Sequence, residues 1–221
     1  MSDLPNRDEL EARLAKTVGK ALGTQLDDLL DALGDPPDPN NLPYEFWEGK
    51  ELRAVIEPLL INIFLVSAET LMIETSIGIE WGLVNQRAID WVSKYTFELV
   101  RGINDTTREI LRSALDTYFR DRLTLKQLID MLSPAFGPVR AEMIAITEVT
   151  RAAVNGELSL VNMIELDNRN IKMIPNWQTA NDDRVCPICG PKHGKVITDG
   201  EYPPAHPRCR CWVNHEMTVI T

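Results

Sequence analysis

The first 185 residues of this 221-residue chain hold no cysteine; all four lie between Cys186 and Cys211. A disulfide framework running through the fold is thereby excluded, and any thiol chemistry is confined to one short segment. Positive charge is in deficit, with 23 Lys and Arg against 33 Asp and Glu and a net charge of -10. Tight nonspecific binding to duplex DNA needs a basic surface that displaces counterions, so that class is excluded and at most a local basic patch can touch nucleic acid. The most apolar run, Leu59 to Val66, is too short to span a bilayer and is flanked or interrupted by Glu57, Asn62 and Glu69. Met1 to Asp8 is polar and includes Pro5, which predicts no signal peptide and synthesis in the cytosol. In that compartment clustered cysteines more often bind metal than pair with each other. There is no internal repeat, no low-complexity tract, no Walker-type glycine loop, no G-x-S-x-G elbow and no H-E-x-x-H helix.

What is present is ordinary for a globular protein: 44% hydrophobic and 25% charged residues. The acid is uneven. Residues 1–50 hold 11 acidic and 5 basic residues, the other 171 hold 22 and 18. Such an end either steers toward a basic or polar partner or is a solvated tail.

Leu10, Leu14, Val18, Leu22, Leu26, Leu29 and Leu33 recur at spacings of three and four and predict an amphipathic helix ending at Gly34. Asp35 to Asn41, with three prolines, reads as a linker or hinge. A second helical stretch from about Tyr44 to Leu83 is kinked or split at Pro58, and its apolar residues from Phe46 to Phe64 exceed what one wet-faced helix can hide. Asn85 to Arg101 reads as another helix. Thr106 with Glu109, and Thr124 with Gln127, fit capping boxes, and Pro138 suits a first helical turn. After Asn168 the texture changes, with short strands expected at Asn170 to Trp177, Lys195 to Thr198 and Trp212 to Met217.

The expected fold class is mostly α: a helical N-terminal region with a small zinc-knuckle α+β C-terminal domain. The expected divisions are residues 1–41 (acidic helix and proline-rich linker), 42–167 (helical domain) and 168–221 (metal-binding module).

The chemistry-bearing segment reads Cys186-Pro187-Ile188-Cys189, then His206-Pro207-Arg208-Cys209-Arg210-Cys211. Two residues between cysteines let a tight turn aim both sulfurs at one ion, as in structural zinc sites. Zinc takes four ligands and the pool is five: Cys186, Cys189, His206, Cys209 and Cys211, with His193 as a weaker sixth. Cys211 and His206 are alternatives for the fourth place. The competing readings are reduced cysteines or a disulfide, which would have to cross between the two clusters. One structural zinc per chain is expected. A catalytic ion would need an open position and a base, for which Asp182, Asp183 and Glu201 are the nearby carboxylates. Glu148 and Arg151 are three apart on a helix and read as a surface pair. Tyr202-Pro203-Pro204-Ala205 is a rigid approach to His206, and Trp177 reads as a core residue of the module, with base stacking as the alternative.

Four stretches are informative in combination: Arg140-Ala141-Glu142-Met143-Ile144-Ala145-Ile146-Thr147-Glu148; Trp177-Gln178-Thr179-Ala180 leading to Asp183-Arg184-Val185-Cys186-Pro187-Ile188-Cys189; Gly194-Lys195-Val196; and Pro203-Pro204-Ala205-His206-Pro207 before Cys209-Arg210-Cys211. In this order and spacing, from about Asp90 to Met217, the chain resembles the phage Mu F-like minor head proteins. The resemblance implies a non-enzymatic protein in few copies inside the phage head near the portal vertex, acting in head assembly, DNA packaging or genome delivery. Its implied partner is the portal protein, with the major capsid or scaffold protein as further candidates and weak contact with packaged DNA; no membrane is implied. It would reside in the virion, and in the host cytoplasm during assembly. In many relatives an arginine and a histidine stand in place of Cys186 and Cys189, while the Cys-Arg-Cys stays.

Two other classes remain open. One is a metal-dependent enzyme or effector domain acting on nucleic acid or a host protein. The other is a single-stranded nucleic-acid module using Arg184, Lys192, Lys195, Arg208 and Arg210. Within the head-protein reading, the leucine helix beyond its proline hinge is expected to reach the portal as a tethered arm, and a chain beginning near Leu83 should then keep the metal module and lose portal binding. The competing expectation is that these leucines fold back on the chain's own helices.

Overall fold

The structure, a computed structural model, describes residues 3–42, 47–180 and 185–220. Tyr44 and Phe46, at the expected start of the second helix, and the loop residues Asp182, Asp183 and Arg184 lie outside them. Among the described residues there are five helices: α1 (Arg7–Leu33), α2 (Lys50–Thr75), α3 (Trp81–Asp121), α4 (Leu125–Phe136) and α5 (Pro138–Asp167). Two strands follow, β1 (Ile171–Gln178) and β2 (Trp212–Val219). The chain is mostly helical with a small antiparallel sheet at its end, as the pattern predicts.

The leucine stripe folds as α1. Asp8 and Glu9 in its first turn complement the positive end of the helix dipole. Pro36 and Pro37 forbid continuation past Gly34, whose amide reaches back to the Leu30 carbonyl at 3.1 Å. Leu14, Val18, Leu22, Leu29 and Leu33 are all buried, in contact with α5, α2 and α4. The tethered arm is therefore a correction: the stripe has found its groove on its own chain, and the prolines redirect the backbone without freeing the helix.

Helix α2 is long and apolar enough to cross a membrane by length and composition alone. Leu52, Ile56, Leu60, Ile63, Phe64, Ala68 and Leu71 are buried, and the helix packs against α5, α3 and α1. The apolar excess of this stretch is thus taken up largely within the chain. Pro58 does not split it. Pro58 and Ala54 are both exposed, so the carbonyl that loses an amide partner is left accessible to water. Gly49 starts α2 at φ 66°, and a Cβ there would fall 2.2 Å from Val100 Cγ1 of α3. Glycine is needed both for the left-handed turn and for the close approach.

The capping pattern at Thr106 predicts a helix boundary there, but α3 runs unbroken for 41 residues, about 60 Å. The hydroxyls of Thr106 and Thr107 bond back to the carbonyls of Gly102 and Ile103 within the helix and cap nothing. Arg140 of α5 donates to the Ile103 carbonyl at 2.9 Å and to Thr107 Oγ1 at 3.0 Å, which holds this stretch against the body. Where no tertiary contact competes, the local signal holds: Thr124 and Gln127 form the predicted capping box of α4, and Pro138 opens α5.

Helix α5 packs against every other helix and both strands. Small residues let the neighbours come close: a Cβ on Gly156 would sit 2.3 Å from the backbone oxygen of Phe64 in α2. The strands pair from Ile171 with Val219 to Gln178 with Trp212. The expected third strand at Lys195 to Thr198 amounts to a single bridge between Asn176 and Val196. Its segment is too short and too rich in neighbouring turns to extend the ladder.

Two glycine substitutions should separate these effects in thermal melts. Gly156→Ala must push α2 off α5 and should cost on the order of 1–3 kcal/mol or more. Gly102→Ala, in mid-helix with nothing near its Cβ position, should stabilise by roughly 0.5–1 kcal/mol. Equal melts for the two variants would contradict the tight α2–α5 contact.

Candidate metal centre

The register of the sheet assembles the site. Gln178 ends β1 and Trp212 begins β2, and the two are paired. The chain entering the first cysteine turn therefore lies beside the chain leaving the second. In the first turn, the Cys189 amide donates to Cys186 Sγ at 3.3 Å and the Gly190 amide to the Cys186 carbonyl at 2.9 Å. Amide-to-sulfur bonds of this kind hold a thiolate outward in a metal knuckle. In the second turn the Cys209 amide bonds the His206 carbonyl at 3.2 Å, and Arg208 between them takes φ 62°.

All five predicted ligands come together. Cys186, Cys189 and His206 form one group, and Cys189, Cys209 and Cys211 another, with the donor atoms of each within 4.8 Å of one another. Cys189 is common to both. Cys186 Sγ lies 3.0 Å and Cys189 Sγ 3.3 Å from His206 Nε2, and the sulfurs of Cys189 and Cys209 are 3.8 Å apart. Two thiolates sharing a tetrahedral ion through bonds of about 2.3 Å stand about 3.8 Å apart, so the spacing fits a bound metal. His206 Nδ1 lies 2.7 Å from the Pro207 carbonyl, which places the proton there and leaves Nε2 free to ligate. The four cysteines are unbridged. His193 joins neither group; its Nδ1 accepts from the Thr179 amide at 3.1 Å.

Electrostatics within the cluster are those of thiols sharing one negative charge. A hydrogen bond from Cys211 pulls Cys209 from its ordinary value near 9 down to about 5, overcoming burial. The same bond, with burial, pushes Cys211 far up, while burial and the Cys209 thiolate push Cys189 to about 12. At Cys186 burial acts upward but backbone and side-chain hydrogen bonds, first from Cys189, prevail and lower it. A metal ion would replace the protons that Cys189 and Cys211 otherwise keep.

The bonds that support the donors join residues far apart in the chain. Thr150 of α5 donates to the Cys209 carbonyl at 2.7 Å and accepts from Arg7 of α1 at 2.9 Å. Thr147 accepts from the Arg208 amide at 2.9 Å, and the Arg208 guanidinium bonds Glu142 and the Val139 carbonyl. Arg210, between the two last cysteines, bonds Glu11 at 3.0 Å and pairs with Asp8. Burial pushes the Glu11 carboxyl above its usual range, and Arg210 and Arg7 act against it. No local signal could have joined Glu11 to a partner 199 positions away.

Several expectations change accordingly. Arg208 and Arg210 are tied to carboxylates, and Lys192 lies over the Trp177 ring at 4.6 Å, so these cations of the nucleic-acid reading are engaged within the fold. Trp177 is a core residue, buried with Cys189, Cys209 and Cys211. Glu148 and Arg151 are not a surface pair. Glu148 is buried, accepts from the Tyr95 hydroxyl of α3 at 2.5 Å, and lies 3.4 Å from Arg151. Burial pushes its carboxyl upward. Glu201 is exposed, and among the described residues no carboxylate joins either donor group.

A family model described as phage Mu protein F like protein matches residues 103–214, half of the chain. No curated protein and no solved structure gives a significant match. The matched residues include the end of α3, α4, α5, β1 and all five donors; α1 and α2 lie outside them.

Serine substitutions, read by elemental analysis, should rank the ligands. Cys189→Ser removes the shared donor and should abolish metal binding. Whichever of His206→Ala and Cys211→Ser keeps full occupancy marks the spare residue. Thr150→Val should weaken metal binding by about tenfold, since second-layer bonds typically carry that much. In metal-free protein, the folded chain holds a Cys209 thiolate between about pH 5 and pH 9 where the unfolded chain holds a thiol. Cys209 therefore contributes stability at pH 9 that is lost as pH falls toward 5, and metal-free Cys209→Ser, compared with the unsubstituted chain in melts across that window, should lack this contribution.

Proposed function

The chain belongs to the phage Mu protein F-like family, a family of phage head proteins, and on that premise we propose that it is a structural minor head protein that docks at the portal vertex. In this reading it acts in head assembly, DNA packaging or genome delivery, with a single structural zinc ion per chain. The observation that carries it is the family match across the segment containing every donor. Zinc suits four donors drawn from these four thiols and one imidazole. A structural role is favoured because Cys189, Cys209 and Cys211 are buried and the donor groups include no carboxylate. Bonds from α5 and α1 hold the donor loop in place, and the ion closes a module whose own apolar core is little more than Trp177, Val185 and Ile197.

A metal-dependent enzyme remains the second reading on one observation. A cavity of about 700 Å³ opens on the donors and is lined also by Asp3, Asp8, Glu9 and Arg7 of the N-terminal turn. Its carboxylates supply the acid–base groups that the donor set lacks.

Truncation at about Leu83 is a poor test of docking, because it removes α1 and α2, which form much of the core, and with α1 the carboxylates that brace Arg210. The full chain serves better. Purified heads should contain the protein in few copies together with the portal protein, and the isolated protein should carry about one equivalent of zinc. Heads made with Cys209→Ser should lack the protein, because the loosened module is proteolysed. If the variant is incorporated and folded but infectivity is lost, the enzyme reading gains and the structural one fails.

A further inference from the structure

The inner face of β2 is covered at one end and exposed at the other. Along β2, Val213 is 1% and His215 4% exposed, whereas Met217 is 46% and Val219 66% exposed. These four alternate residues share the face that packs on the helices, because their partners Trp177, Pro175, Met173 and Ile171 lie opposite in register. β2 therefore overhangs the helical body at this end, while Met173 and Ile171 of β1 stay packed on it. At the same end, Ile77, Ile79, Trp81 and Met72, around the α2–α3 turn, are only partly covered and pack with Ile171 on one buried cluster. Ile73, Leu83, Leu166 and Ile220 are exposed beside them in the chain.

The charge of this end is acidic in balance. Residues 65–83 contain Glu69, Glu74 and Glu80 and no lysine or arginine. Asp167 is exposed at the end of α5. The basic residues of the adjoining segment are Arg169 and Lys172, and Lys172 is bonded to Glu165 at 3.1 Å. A second copy of the chain would set these carboxylates against their own kind, which costs association.

We infer that this overhanging apolar end, from the α2–α3 turn to Val219, is the docking surface for a different head protein whose contact face is apolar at the centre and rimmed by lysine or arginine. Exposed apolar side chains gathered at one end of the fold mark a partner site, and the acidic rim selects the partner's charge. Equating that partner with the portal rests on the function proposed above.

A photo-crosslinking amino acid placed in the full chain at Ile73 or at Val219, during head assembly, tests the surface; Phe119, exposed near the far end of α3, is the control position. Both test positions should crosslink to one non-self chain, identified by mass spectrometry, through a peptide rich in Lys or Arg, and Phe119 should not. Glu69→Lys with Glu80→Lys should cut the yield about tenfold without changing the melt. If the captured chain is the portal, both readings stand; if it is another head protein, the surface stands and portal docking falls. Self-crosslinks only, no crosslinks, equal yield from Phe119, or indifference to charge reversal overturns the surface.

Discussion

Burial of α5 on nearly every side is the constraint from which the other positions follow. A helix of thirty residues that touches four others and both strands cannot move without disturbing all of them. Its small residues decide how near they come: Ala141, Ala145, Ala152, Ala153 and Gly156 are buried, and Gly156 admits the α2 backbone at a distance that no side chain would allow. Close packing at that density makes such an axis rigid. It also makes α5 a platform, because the hydroxyls of Thr147 and Thr150 on its surface reach the cysteine loop.

The cysteine and histidine cluster depends on this platform, since the loop that carries it is bonded to α5. Two strands, with a single further bridge and an adjoining loop, would be marginal alone. Two features of the fold support them: the sheet face laid on α5, and the hydrogen bonds that tie Arg208 and Cys209 to α5 and Arg210 to α1. Helix α1 lies outside the family-matched segment yet braces the loop that carries the donors. The acidic excess of the N-terminal region thereby gains a specific internal partner: Asp8 and Glu11 answer Arg210.

Much was legible in the residues. The leucine spacing gave α1, the Thr124–Gln127 box gave the start of α4, and Pro138 gave that of α5. The two-residue cysteine spacing identified the donors that the fold gathers. These are local signals, set by a helical period, a cap or a tight turn, and they hold where nothing distant competes. Local signals fail where something does. Thr106 looks like a cap, but Arg140 secures that part of α3 and the helix runs through. Glu148 looks like half of a surface pair, but Tyr95 covers it.

By itself, the sequence determined the helical class, the composition of the donor set and, through the resemblance of its motifs, the family. Each of these is written in short-range spacing, and spacing survives without knowledge of the fold. Only the tertiary structure decided whether the leucine helix is an arm or part of the core, which arginines are free, and how Cys186, Cys189 and His206 meet Cys209 and Cys211. Those outcomes depend on contacts between residues far apart in the chain. A stripe of leucines records that a face must be buried; whether its own helices or another protein cover it is settled by which surface fits.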